Sequence, residues 1–166
     1  MSSDSFGALG LHSSFCDTLV KLGFDQPTPI QSKSIPQAMS GKDILGLAQT
    51  GTGKTAAFGL PLLQQIQEIK KGRAEPKSPR SLILAPTREL ALQIHAELEK
   101  FAANTNLHMA CVIGGVGQSA QVKKLYAGVD VLVAAPGRLL DLMNQGHVVL
   151  DKTNFLVLDE CDRLLD

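Results

Sequence analysis

Ala48-Gln-Thr-Gly-Thr-Gly-Lys-Thr55 follows the apolar run Asp43-Ile-Leu-Gly-Leu-Ala48 and leads into a helical pattern. This passage from strand through glycine-rich turn to helix decides the fold, because it is the context in which such a turn cradles phosphate. Gly51 and Gly53 let successive backbone N–H groups turn inward around phosphate oxygens, and the helix start adds favourable partial charge. Lys54 is placed to reach the β and γ phosphates and the Thr55 hydroxyl to hold Mg²⁺. Ala48 stands where the commonest form of this loop has glycine, a small cost if its φ is negative. A glycine-rich turn without a ligand is the bland alternative.

Working outward, four more apolar runs end in turn signals: Ser81–Pro86, Met109–Gly114, Val129–Pro136 and Phe155–Asp159. Their nearly continuous hydrophobicity predicts strands of a parallel sheet covered on both faces. Helical patterns lie between them. Phe58, Leu62, Ile66 and Ile69 form one stripe, with Pro61 set to kink the axis or break a hydrogen bond. Leu90, Ile94, Leu98 and Phe101 form another behind Thr87 as N-cap, and shorter helices are predicted over Gln118–Tyr126 and Arg138–Asn144. Alternating strands and helices predict a doubly wound α/β fold with its ligands at the carboxyl ends of the strands. The first forty residues lack strands and carry a helix over Ser13–Leu22 stopped by Gly23. Thr28 followed by Pro29 reads as a second helix start. One domain over residues 1–166 is expected, with 1–40 a helical extension and 41–166 the α/β core.

The 166 residues carry no net charge, so nucleic-acid binding must rest on local sites. With no Trp and a single Tyr, Tyr126, stacking of a row of bases is disfavoured and nucleic acid would be gripped by its backbone. Cys16, Cys111 and Cys161 are too far apart for a disulfide framework or a zinc site. Reduced thiols, the absence of a targeting pattern at the N-terminus and the absence of a membrane-length apolar stretch lead us to expect a cytoplasmic protein. The basic stretch Lys70–Arg80 reads as a solvated loop, with a nucleic-acid contact as the alternative.

The run Phe155-Leu-Val-Leu-Asp-Glu-Cys-Asp162 ends a core strand in three carboxylates, which must meet solvent or a cation because unpaired burial is costly. Asp159 could hold Mg²⁺ and Glu160 could orient or deprotonate an attacking water. Alternatively the strand merely ends in a polar loop, with Arg163 as ion-pair partner. Thr87 and Arg88 open a helix at a strand's carboxyl end, a natural phosphate site, although for Arg88 taken alone a surface ion pair with Glu89 or a neighbour is the favoured reading. Gly114, Gly115 and Gly117 suggest a close backbone approach to a ligand or a tight turn.

These segments together resemble the N-terminal RecA-like domain of a DEAD-box RNA helicase. Gly23-Phe-Asp-Gln-Pro-Thr-Pro-Ile-Gln31 is similar to the Q motif, with Phe6 seventeen residues before it, and Ala48–Thr55 is similar to motif I. Pro86-Thr-Arg-Glu-Leu90 resembles motif Ia, Gly114-Gly115 the GG element, Ala135-Pro-Gly-Arg138 motif Ib and Asp159–Asp162 motif II, all in family order. The remaining pattern looks bacterial. Two departures stand out: Cys161 where most of the family has Ala, and Ala135 where Thr is usual.

The resemblance implies ATP and Mg²⁺ as cofactors, held by Phe24 on adenine, Gln31 at its edge, and Ala48, Gln49, Thr50, Gly51, Thr52, Gly53, Lys54 and Thr55 around the phosphates. Thr55 and Asp159 would ligate the metal, partly through water. Lys54, Asp159 and Glu160 would be catalytic, and Asp162 would couple to a second RecA-like domain that the chain lacks, together with the Ser-Ala-Thr element. RNA would lie on Pro86, Thr87, Arg88, Gly114, Gly115, Gly137 and Arg138, through phosphates and 2′-hydroxyls. The expected protein is a monomeric RNA helicase that hydrolyses ATP, with this segment cut off after motif II and nearly inactive alone. Another P-loop enzyme class and a non-catalytic nucleotide- or RNA-binding module are the rivals.

Overall fold

The computed structural model describes residues 5–46 and 53–164, and of Cys161 only the backbone. Ala48, Gln49, Thr50, Gly51 and Thr52 lie outside the described residues. The chain divides into two compact units, one of Met1–Ile69 with Glu97–Asn106 and one of Lys70–Ala96 with Leu107–Asp166.

The first unit is helical, with α1 (Ser13–Lys21), α2 (Pro29–Met39) and α3 (Lys54–Ile69). Gly23, at φ 86°, follows α1 in the left-handed conformation that a helix stop requires. Thr28 caps α2 with a complete capping box, in which Gln31 returns the bond to the Thr28 backbone. Pro61 is accommodated inside α3. Gln64, almost fully buried on α3, ties down the chain before α1: its Nε2 donates to the Gly10 carbonyl at 2.9 Å, and its Oε1 accepts from the His12 N–H at 2.8 Å.

The second unit is built on a parallel sheet of β1 (Ser81–Leu84), β2 (Met109–Val112), β3 (Val131–Ala134) and β4 (Phe155–Leu158), ordered β2-β3-β1-β4. Ser81, Leu82, Ile83 and Leu84 pair in register with Val131–Ala134 on one side and Phe155–Leu158 on the other. Helix α4 (Arg88–Phe101) leaves β1, α5 (Ser119–Ala127) joins β2 to β3, and α6 (Pro136–Asn144) leaves β3. A short α7 (Cys161–Leu164) follows β4. Side chains alternate across the pleat, so Leu82, Ala110, Val112, Leu132 and Ala134 share one face. There they are buried with Leu125 of α5 and with Leu139 and Leu142 of α6. No helix among the described residues is long and apolar enough to cross a membrane.

Two strand expectations need correction. Of the run Asp43–Ala48, residues 43–46 belong to no strand, with Ile44 and Leu45 exposed, while Leu47 and Ala48 lie outside the described residues; an apolar run becomes a strand only where a partner offers a hydrogen-bond ladder, which composition cannot reveal. The run Phe155–Leu158 is not covered on both faces: as the sheet's edge it leaves Leu156 59% and Leu158 49% exposed. Helix α6 also starts at Pro136, two residues ahead of the expected Arg138, because Pro is pre-set for the first helical position.

At the amino end of β3, Asp130 is fully buried. Its Oδ2 accepts from Lys70 Nζ and the His108 N–H, both at 2.8 Å, and its Oδ1 from Arg80 Nε at 2.9 Å. The basic stretch Lys70–Arg80 is therefore pinned at both ends, and the pin lies opposite the carboxyl edge where ligands are expected. Cys111 is equally structural, since burial pushes its thiol up to about 11, far from the reactive range. Asp130→Ala should destabilise the fold by about 3–5 kcal/mol, because it strands Lys70 and Arg80 without their anion. Urea denaturation of the variant against the parent measures this loss.

Candidate functional site

In the first unit, Gly53 and Lys54 mark the junction where the glycine-rich loop becomes α3. Gly53 adopts φ 82°, and a side chain there would collide with Gln31, whose Nε2 lies 2.3 Å from the Cβ position. The reason is a hydrogen bond from Gln31 Nε2 to the Gly53 carbonyl at 3.0 Å. Gln31 is completely buried, and its Oε1 accepts from the Thr28 N–H at 2.9 Å. The single amide thus caps α2 and fastens it to Gly53 at the start of α3. The spacing Thr-x-x-Gln carries this capping-box signal in the sequence, beside the Thr–Pro helix start. Lys54 and Thr55, half-buried, form the first turn of α3. Phe24, also half-buried, meets Phe101 edge-on at a centroid distance of 5.6 Å.

In the second unit, the remaining candidates fall at the carboxyl ends of successive strands, where parallel strands place their turns together. Pro86 and Thr87 follow β1, and Thr87 Oγ1 accepts from the Leu90 N–H at 3.2 Å, capping α4 as expected. Arg88 is exposed and reaches across to the loop after β2, donating from Nη1 to the Gly114 carbonyl at 3.4 Å. The ion pair of Arg88 with Glu89, the alternative considered from sequence, is not among the described contacts. Gly115 has φ 78°, and a Cβ there would sit 2.0 Å from Arg88 Nη1, so this glycine serves both a turn and a close approach.

After β3, Ala135 is the extended N-cap of α6, Gly137 is exposed and Arg138 is half-buried. Arg138 Nη2 donates to the Val116 carbonyl at 2.9 Å and its Nη1 to Gln121 Oε1 at 3.1 Å. Two guanidinium groups, from α4 and from α6, thus converge on the loop 114–116. Gln121, which the sequence reading did not select, holds this arrangement through a buried amide.

After β4, the Asp159 N–H extends the ladder to the Leu84 carbonyl at 2.9 Å, and Asp159 is nearly buried. Glu160 has φ 50°, a costly conformation for a non-glycine residue that concentrates at functional sites. Arg163 Nη1 lies 3.1 Å from Glu160 Oε2, so the ion pair considered as the bland alternative does form. Asp162 is exposed. Among the described residues, no three His, Cys, Asp or Glu side chains gather into a metal cage.

A family model described as DEAD/DEAH box helicase matches residues 28–166. The chain belongs to the DEAD/DEAH box helicase family. It is 48% identical over 143 residues to the ATP-dependent RNA helicase dbp3 of Aspergillus terreus, covering 86% of this chain and 29% of that protein. It is 44% identical over 164 residues to the ATP-dependent RNA helicase DBP2 of Encephalitozoon cuniculi, covering 97% and 32%. Among solved structures, the RNA helicase Prp28 from Chaetomium thermophilum bound to ADP superposes with a TM-score of 0.90 at 40% identity, covering 98% of this chain and 39% of that one. A DEAD box protein from the hyperthermophile Methanococcus jannaschii gives 0.86 at 36% identity, covering 98% and 43%. The chain spans about a third of the length of these curated relatives. Its parallel sheet with flanking helices is the RecA-like α/β fold of DEAD-box structures.

Within this helicase-family chain, Gly115→Ala should push the Arg88 guanidinium off the glycine loop and strain the turn. We expect a stability loss of about 1–2 kcal/mol with an unchanged core. A thermal melt reads the loss, and a melt matching the parent would show that neither the positive φ nor the arginine contact constrains this position.

Proposed function

We propose that this chain is the ATP- and RNA-binding N-terminal domain of a helicase that couples ATP hydrolysis to local RNA duplex unwinding. The convergence of Arg88 and Arg138 on the loop 114–116, at the carboxyl edge of the sheet, carries the RNA half of this reading. Guanidinium groups beside exposed glycines suit a phosphate backbone, and nothing in the arrangement reads bases. The relatives' names, ATP-dependent RNA helicase, support the same reading. The carboxylate of Asp159 and the hydroxyl of Thr55 are each hard oxygen donors, the donor type Mg²⁺ takes beside water and phosphate. The ion, when bound, would supply charge neutralisation on the phosphates.

In this proposal Lys54 meets the β and γ phosphates, Asp159 positions the metal, and Glu160, released from Arg163, orients or deprotonates the attacking water. Phe24 packs on adenine, and Gln31, whose amide is buried here against Gly53 and Thr28, meets its edge once nucleotide binding uncovers it. Pro86, Thr87, Gly114, Gly115 and Gly137 complete the RNA track, and Asp162 couples to a second RecA-like domain. An arginine finger from that domain is part of the proposal, so the 166-residue chain alone should hydrolyse ATP very slowly. A monomeric, cytoplasmic protein belongs to the same reading. The bacterial type rests on the overall look of the sequence and draws no support from the relatives named above.

Calorimetric titration should give ADP binding to the chain and weaker GDP binding, because an amide can match the adenine edge where guanine offers a carbonyl. Equal affinities would sink the adenine assignment. Gln31→Ala should erode that preference and, by removing the capping box, cost about 1 kcal/mol of stability.

Lys54→Ala should weaken ADP binding roughly 10- to 100-fold, the range of a charge-assisted hydrogen bond. Glu160→Gln in the full-length protein should keep nucleotide binding and lose RNA-stimulated turnover. Parent-like turnover in Glu160→Gln would remove Glu160 from the reaction, and DNA stimulating hydrolysis as well as RNA would overturn the substrate class.

A further inference from the structure

We propose that Gln121 is a positioning residue for RNA binding: it sets the Arg138 guanidinium and the loop 114–116 in one register, so that both meet the same phosphate backbone. The inference rests on the RNA track proposed above and adds a residue to it. Gln121 stands in the first turn of α5, seven residues beyond Gly114, and only 8% of it is exposed. Its Nε2 donates to the Ile113 carbonyl at 3.1 Å, immediately before the glycine pair. Its Oε1 accepts from Arg138 Nη1 at 3.1 Å, while Arg138 Nη2 donates to Val116 at 2.9 Å. The amide is therefore the middle of a closed bridge from the end of β2 to the first turn of α6.

The choice of side chain follows from that geometry. Only an amide offers a donor for Ile113 and an acceptor for Arg138 from one planar group, and asparagine is a methylene too short to span the same two partners. Glutamate could accept from Arg138 but would face the Ile113 carbonyl without a proton. A buried amide is tolerated only when both its ends are satisfied, as they are here. Of the five N–H groups of the Arg138 guanidinium, two are engaged by Gln121 and Val116. An arginine fixed in this way loses less side-chain freedom when a phosphate arrives, which is how a residue that touches no RNA could raise RNA affinity.

The test is single-stranded RNA affinity of the full-length protein at several salt concentrations, for the parent, Gln121→Met, Gln121→Glu, Arg138→Ala and the Gln121→Met/Arg138→Ala double variant. Thermal melts of each confirm folding. Gln121→Met, close in volume but without hydrogen bonds, should weaken binding about five- to tenfold, the worth of one hydrogen bond. In the Arg138→Ala background the same change should cost less than about twofold, because its effect passes through the missing guanidinium. Gln121→Glu should reduce the slope of log affinity against log salt by about 0.7, one phosphate contact, because its carboxylate neutralises Arg138. Full multiplication of the Gln121→Met and Arg138→Ala losses would overturn the inference, as would parent-like binding by Gln121→Met beside a weakened Arg138→Ala. Parent affinity and slope in Arg138→Ala would instead remove the RNA track on which the inference stands.

Discussion

A parallel sheet delivers the ends of all its strands to one edge, and this constraint governs the second unit. Residues 85–88, 113–117, 135–138 and 159–162 are far apart in sequence, yet the register that pairs Leu84 with Ala134 and Leu158, and Ala134 with Val112, brings their turns side by side. A one-residue slip would turn Leu82, Leu132 and Ala134 away from α5 and α6, so the buried face enforces the register that assembles the site. Packing and site geometry are thus fixed by the same hydrophobic alternation.

Backbone carbonyls then do most of the positioning at that edge. Arg88 is drawn to Gly114, Arg138 to Val116, Gln121 to Ile113 and, in the first unit, Gln31 to Gly53. Turns at the ends of strands leave carbonyls outside the ladder, and long polar side chains satisfy them. The glycines matter for the same reason. Gly53 and Gly115 combine positive φ with a side-chain nitrogen closer than any Cβ could permit, so backbone and polar group form one unit at each place.

The sequence made the repeating units of this architecture legible, because continuous apolar runs and 3.6-residue stripes are local signals. Thr87, Thr28 and Gly23 were readable as helix boundaries for the same reason. Pairing was not readable. The apolar run that begins at Asp43 reads much like Ser81–Leu84, yet residues 43–46 lie in no strand whereas Ser81–Leu84 pairs on both sides. The edge position of β4 was hidden likewise, since strand order is a property of the whole sheet. At the candidate site, charged and glycine residues stood out by type, whereas Gln121 did not. A glutamine in a helical turn is usually solvated, and its role depends on a carbonyl eight residues away and an arginine seventeen residues away.

Charge balance shows how a chain with no net charge could still favour a polyanion at one edge. Lys70 and Arg80 contribute two of its cationic groups, but Asp130 binds both at the amino end of the sheet, where the single, fully buried carboxylate offsets one of the two charges within hydrogen-bond distance. Arg88 and Arg138 are held by neutral carbonyls and an amide, so their charge is oriented without being cancelled. Interactions between exposed charges fade over about 10 Å at moderate salt, so a ligand at the carboxyl edge responds to local groups far more than to the total. Cations held by a buried carboxylate at one end of the strands and by neutral groups at the other therefore present their charge differently, a local distinction that net charge does not record.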